Sequence, residues 1–95
     1  MSALFRRAGK QPPADPASRL VTLVGKPGCH LCDDARAVVT RVCAETGARF
    51  EERDITVDQE MYDAYWEQIP VVLVDGAQHT FWRVDPERLR RALES

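Results

Sequence analysis

The sequence predicts an α/β domain built on a four-stranded mixed sheet with helices packed on its faces, in the order β-α-β-α-β-β-α. Three observations carry this expectation. Two short apolar, β-branched runs, Leu20-Val-Thr-Leu-Val24 and Val71-Val-Leu-Val74, read as strands buried on both faces. Helical periodicity fills much of the stretch between them, and Asp75-Gly76 is a strong signal for a two-residue hairpin turn. A parallel βαβ half joined to a hairpin and a closing helix accommodates all three.

Each element has its own local reason. Residues 1–18 hold Pro12, Pro13 and Pro16 with little apolar periodicity, which predicts a disordered tail ahead of a domain spanning 19–95. The first strand is ended by Gly25 and Pro27. Ala35, Val38, Val39, Val42 and Cys43 then recur at helical spacing, and Gly47 is the natural stop, giving a helix of about four turns. Phe50-Glu-Glu-Arg-Asp-Ile55 is highly charged, so a strand there belongs at a sheet edge. Thr56-Val-Asp-Gln59 reads as a capping box opening a second helix through Met61, Tyr62 and Tyr65, which ends before Pro70. After the hairpin strand, Ala77 to Trp82, the triplet Asp85-Pro86-Glu87 supplies an N-cap, a proline at the first helical position and an acid in the first turn. Leu89, Ala92 and Leu93 form the apolar stripe of the last helix, and no internal repeat is visible.

Length and charge narrow the function classes. Ninety-five residues allow one core. The net charge is −2, and because Arg6, Arg7, Lys10 and Arg19 cluster at the start, the remaining body is acidic; this offers no electrostatic case for nucleic acid. Arg6-Arg7 is not followed by an apolar stretch, so secretory and twin-arginine signals lack their essential part, and no run approaches the roughly 20 apolar residues of a membrane span. The expectation is a cytoplasmic monomer with no membrane partner. The three cysteines suit a redox pair plus one spare thiol better than a stapled secreted scaffold.

Cys29 and Cys32 stand three positions apart where the first strand gives way to the first helix. Residues i and i+3 share a helix face, so the two sulfurs can close a small ring. Cys29, at the helix N-terminus, is the candidate nucleophile and Cys32 its resolving partner. The thiolate is the reactive form. Lys26, the partial positive charge of the helix end, the Cys32 S–H and a protonated His30 favour that anion, while Asp33 and Asp34 oppose it. Cys43 falls on nearly the same helical face and reads as a small buried apolar residue. A Cys-x-x-Cys pair can also be half of a zinc site, but no second pair exists and only Cys43, His30 and His79 remain as further ligands. The redox reading is preferred, with no metal and no bound cofactor. His79, Trp82 and Arg83 receive no role from the sequence.

With Lys26-Pro-Gly-Cys29-His-Leu-Cys32, Ile69-Pro70-Val-Val and Asp75-Gly76 in this order, the chain resembles the thioredoxin superfamily and most closely the glutaredoxin-like proteins, over residues 20 to 94. The resemblance implies a cis proline at Pro70 beside the cysteine pair, leaving the backbone of Ile69 free to pair with a bound thiol substrate. It also implies a thiol-disulfide oxidoreductase that reduces protein or low-molecular-weight disulfides with electrons from an external thiol or a disulfide reductase. Glutathione-using members commonly carry a Gly-Gly pair before an acid-bearing helix start. Here the matching stretch is Phe81-Trp-Arg-Val-Asp85-Pro86, where proline removes one N–H donor and Asp85 brings its own charge to the anion-favouring helix end. Weak glutathione binding is therefore expected, and the donor stays open among glutathione, mycothiol and a reductase. The competing reading is a module that keeps the fold without turnover, binding a partner at the Ile69-Pro70 surface or a metal through Cys29 and Cys32 between subunits.

Overall fold

The computed structural model describes residues 15–94. Most of the expected tail lies outside the described residues. Its last part, Pro16–Ser18, forms one 3₁₀ turn whose N-cap, Asp15, accepts the Ala17 N–H at 3.0 Å.

The sheet contains β1 (Leu20–Gly25), β2 (Arg49–Asp54), β3 (Val71–Val74) and β4 (Ala77–Phe81), arranged in the order β2-β1-β3-β4. β2 runs parallel to β1, whereas β3 runs antiparallel to both β1 and β4. The apolar strands β1 and β3 occupy the centre, and the charged β2 lies at an edge, as the residue types require. Asp75 and Gly76 both take positive φ, 52° and 86°, the geometry of a two-residue hairpin turn whose second position glycine fills at no steric cost. Asp75 is held there by its carboxylate, which accepts from the Leu20 N–H at 2.9 Å and pairs with Arg19 at 2.8 Å.

Among the described residues, three α-helices cover the sheet: α1 (His30–Thr46), α2 (Gln59–Tyr65) and α3 (Pro86–Glu94). Alternation along the strands divides the core in two. Val21, Leu23 and Val72 pack with Ala35, Val39 and Val42 of α1 and with Leu89 and Leu93 of α3. Val24, Val71 and Leu73 face the other way, with Ile55 and, more loosely, Met61, Tyr65 and Ile69. Leu89 and Leu93 are fully buried, contributing about 1.5–3 kcal/mol each through removal from water. Asp85 caps α3 by accepting from the Glu87 N–H at 2.9 Å.

The second helix starts later than its sequence suggests. Asp58, not Thr56, is the N-cap and accepts from the Met61 N–H at 3.1 Å. Thr56 instead closes a turn with Asp54, its N–H donating to that carboxylate at 2.8 Å and its hydroxyl at 2.6 Å. Arg53 settles the competition, because its Nε donates to Asp58 at 2.7 Å and fixes the carboxylate at the helix end.

Candidate active site

Buried β1 carries the chain to one end of the sheet, Lys26–Gly28 turn it, and Cys29 becomes the N-cap of α1. Its backbone is extended, with φ −105° and ψ 114°, and its Sγ accepts from the Cys32 N–H at 3.2 Å. Sulfur thus takes the place usually given to a Ser, Thr, Asp or Asn oxygen at a helix start. The Asp33 N–H donates to the Cys29 carbonyl at 3.0 Å, closing the first turn.

The two sulfurs occupy unlike surroundings. Cys29 is half-buried, whereas Cys32 has no exposed surface; both are free thiols, as is Cys43. Burial, and then a side-chain hydrogen bond to Cys29, push the Cys32 thiol up to about 11, partly opposed by a hydrogen bond from the Lys26 backbone. Cys43 is buried among Val39, Val42 and Ala48, and desolvation raises its thiol as well.

The remaining candidates fall around this pair. His30 is the first residue of α1 and is exposed. Lys26 is exposed and borders a cavity of about 300 Å³ with Pro27, Asp33, Arg36 and Glu52. Asp33 is paired with Arg36 at 2.9 Å, and Arg36 Nε also donates to Glu52 at 2.9 Å, so part of the negative charge expected to oppose the thiolate is compensated. The Ile69–Pro70 peptide is cis, and Pro70 is fully buried. Ile69 is half-buried, and its backbone has no hydrogen-bond partner among the described residues. Ile69 shares a cavity wall with Leu31, which stands between the two cysteines in the first turn of α1, so the two motifs meet at one surface.

Three residues join the site that sequence reasoning left out. A Cβ on Gly25 would come within 2.9 Å of the Cys32 sulfur, so glycine there lets the end of β1 lie against the buried thiol. Leu31 lines the groove beside Ile69. Trp82 donates its N–H to the Pro70 carbonyl at 2.7 Å, which ties the end of β4 to the proline loop. Trp82's only sequence signal is its place as the last residue of the expected hairpin strand, which in the structure ends one residue earlier at Phe81. Among the described residues, no group of three His, Cys, Asp or Glu side chains could hold a metal ion, and no helix is long and apolar enough to cross a membrane.

A β2-β1-β3-β4 mixed sheet, with a cysteine pair opening its first helix and a cis proline entering its third strand, defines a protein of thioredoxin-like fold. Within that class, the chain belongs to the family of the Glutaredoxin-like domain (DUF836), whose model matches residues 20–94. An uncharacterized protein of Mycobacterium tuberculosis is 29% identical over 75 residues, covering 74% of this chain and 77% of its own. A structural-genomics target from X. campestris, solved by X-ray crystallography, is 32% identical and covers 77% of this chain and 93% of its own, with a TM-score of 0.61. A mutant thioredoxin from Halobacterium salinarum shares the fold at 20% identity and a TM-score of 0.63, covering 84% of this chain and 73% of its own. Family and fold support a redox-type function.

Proposed function

We propose that the protein is a thiol-disulfide oxidoreductase in which Cys29 attacks a disulfide of a protein or small molecule and Cys32 resolves the intermediate. The supporting observation is the difference between the two sulfurs: Cys29 is partly open to solvent and accepts the Cys32 N–H at 3.2 Å, while Cys32 is sealed and held in its protonated form. A thiol that is sealed from solvent and kept protonated cannot compete for the substrate, which leaves the accessible Cys29 sulfur to attack.

The cycle balances as follows. The Cys29 thiolate attacks one sulfur of the substrate disulfide, forming a mixed disulfide, and the other sulfur departs as a thiolate that takes up a proton. Cys32 then loses its proton and attacks the Cys29 sulfur, forming the Cys29–Cys32 bond and releasing the second substrate sulfur as a thiol. Two electrons and two protons have passed to the substrate. An external low-molecular-weight thiol or a disulfide reductase returns them, so no bound cofactor enters. The half-buried Ile69 is where the substrate chain rests, its unpaired backbone the hydrogen-bonding edge, and the sealed Pro70 fixes that backbone from behind. Lys26 and, when protonated, His30 are the residues assigned to stabilise the thiolate, both close to Cys29 in the chain. The carboxylate of Asp85 already occupies the Glu87 N–H, which argues against glutathione as the favoured electron donor.

The test is a pair of variants. Cys29→Ser abolishes reduction of insulin or hydroxyethyl disulfide, and Cys32→Ser accumulates covalent adducts with substrate proteins in a cell extract. Full activity of Cys29→Ser would exclude the scheme.

A further inference from the structure

Trp82 is held in a conformation that large residues rarely adopt. Its φ is +67°, in the left-handed region, where a bulky aromatic is strained by on the order of 1–3 kcal/mol. Core burial does not explain its retention, because half of the residue, 51%, is exposed. Phe81 meets the ring edge-on at a centroid distance of 4.9 Å and fixes how it stands. A strained backbone that presents an aromatic face to solvent points to a function for that face.

Three surface cavities meet at this ring, and Trp82 lines each of them. The middle one, about 500 Å³, is walled chiefly by Leu31, Ile69, Phe81 and Trp82. Leu31 lies between the two cysteines in the chain, which sets the groove beside the first turn of α1. Its charge is uneven. Asp34 stands at one end and Asp63 and Glu67 at the other, with Arg83 the only cation among the described residues lining the three cavities. An apolar middle flanked by acids fits an extended peptide carrying a large apolar residue and basic residues.

We propose that Trp82, with Leu31 and Ile69, forms the subsite that receives a large apolar side chain next to the substrate's disulfide cysteine, and that Asp63 and Glu67 meet basic residues farther along the same segment. This rests on the thiol-disulfide reading above, and it narrows the substrate to cationic peptide segments with an apolar residue flanking the reactive cysteine. Trp82 acts here through binding and takes no part in the exchange of sulfurs.

The test uses the full chain with dithiothreitol as the regenerating reductant. Two peptide disulfides of equal length serve as substrates, one with Phe beside the cysteine and two Lys beyond it, the other with Ser and two Glu, and hydroxyethyl disulfide is the reference. The wild type should favour the Phe/Lys peptide by at least about tenfold in kcat/KM, the discrimination a single apolar pocket can supply. In Trp82→Ala that ratio should fall by about tenfold, and likewise in Trp82→Gly, which also relieves the backbone. General damage would lower both peptides alike and leave the ratio intact, which would overturn the subsite. Asp63→Asn with Glu67→Gln should raise KM for the Lys peptide and weaken its salt dependence. A wild type that reduces hydroxyethyl disulfide without preference between the peptides also overturns the subsite, whereas failure on all three substrates overturns the thiol-disulfide reading itself.

Discussion

Gly25 lies so close to Cys32 that a Cβ at residue 25 would stand 2.9 Å from the Cys32 sulfur and 3.3 Å from its Cβ. The constraint is one of space. Cys32 is fully buried and anchored in the first turn of α1, so the sulfur cannot give way without moving the helix start. Gly25→Ala is expected to cost about 1–3 kcal/mol, the range for overpacking a filled core. It should also slow closure of the Cys29–Cys32 bond, because the displaced sulfur loses its alignment. Urea denaturation and the rate of disulfide formation under mild oxidant check both. Wild-type values in the two measurements together would show that the close approach has no consequence.

The two buried thiols should resist alkylation at mild pH. Cys32 is pushed from the ordinary 9.0 up to about 11, chiefly by burial, and Cys43 is raised for the same reason. Only thiolates alkylate. Iodoacetamide at pH 8 should therefore spare both on the folded protein and fall on the more accessible Cys29, as read by peptide mapping, with Cys32 and Cys43 labelled in denaturant and Cys32 also as the pH nears 11. The sign for stability follows from the same shift: the folded Cys32 holds its proton more tightly than the unfolded one, so this contribution is complete below pH 9 and is lost as pH rises toward 11. Early labelling of Cys32 would contradict the assignment of the resolving thiol.

How far the sequence could be read depended on whether a signal was local. The apolar run 20–24, the Asp75-Gly76 turn and the Asp85-Pro86-Glu87 helix start are fixed by neighbouring residues, and each stands where its chemistry places it. The start of α2 was misread because Thr56 and Asp58 are both good caps, and the choice rests on Arg53, whose pairing with Asp58 exists only once β2 is folded. The site divides in the same way. Cys29 and Cys32 are a motif on one turn, but Gly25 matters only through its approach to a buried sulfur, and Trp82 only through a positive φ that no propensity for tryptophan would suggest. The meeting of Leu31 with Ile69 belongs to the folded surface alone.

Burial outweighs the ion pairs in holding α3 to the sheet. Leu89 is fully buried between α1 and the strands, whereas Arg90 joins Glu45 of α1 and Glu87 of its own helix at the surface. Leu89→Ala should cost about 2–5 kcal/mol, against a total stability on the order of 5–15 kcal/mol for such a domain. Arg90→Gln should cost far less than Leu89→Ala, since solvent screens the pair. Thermal melts of the two variants rank the effects. A larger loss from Arg90→Gln would mean that the charge network, not the apolar stripe, fastens this helix.

His79 gives the fold a sensitivity to mild acid. The pairing of β3 with β4 passes from Val72 opposite Thr80 to Leu73 opposite Gln78, so His79 is the extra residue of a bulge and its ring is half-buried. Burial, and then the charge of Arg88, hold the imidazole below its ordinary 6.5. The unfolded chain therefore takes up the proton more readily than the folded one. Stability from this group is complete above pH 6.5 and declines as the pH falls below it. His79→Gln, which keeps a polar side chain without a titrating ring, should lose less stability than the wild type between pH 7 and pH 5. Urea midpoints at the two pH values measure the difference. Equal losses in both proteins would show that the acid sensitivity arises from the carboxylates Asp54, Asp58 and Asp75, which hydrogen bonds hold below their ordinary values.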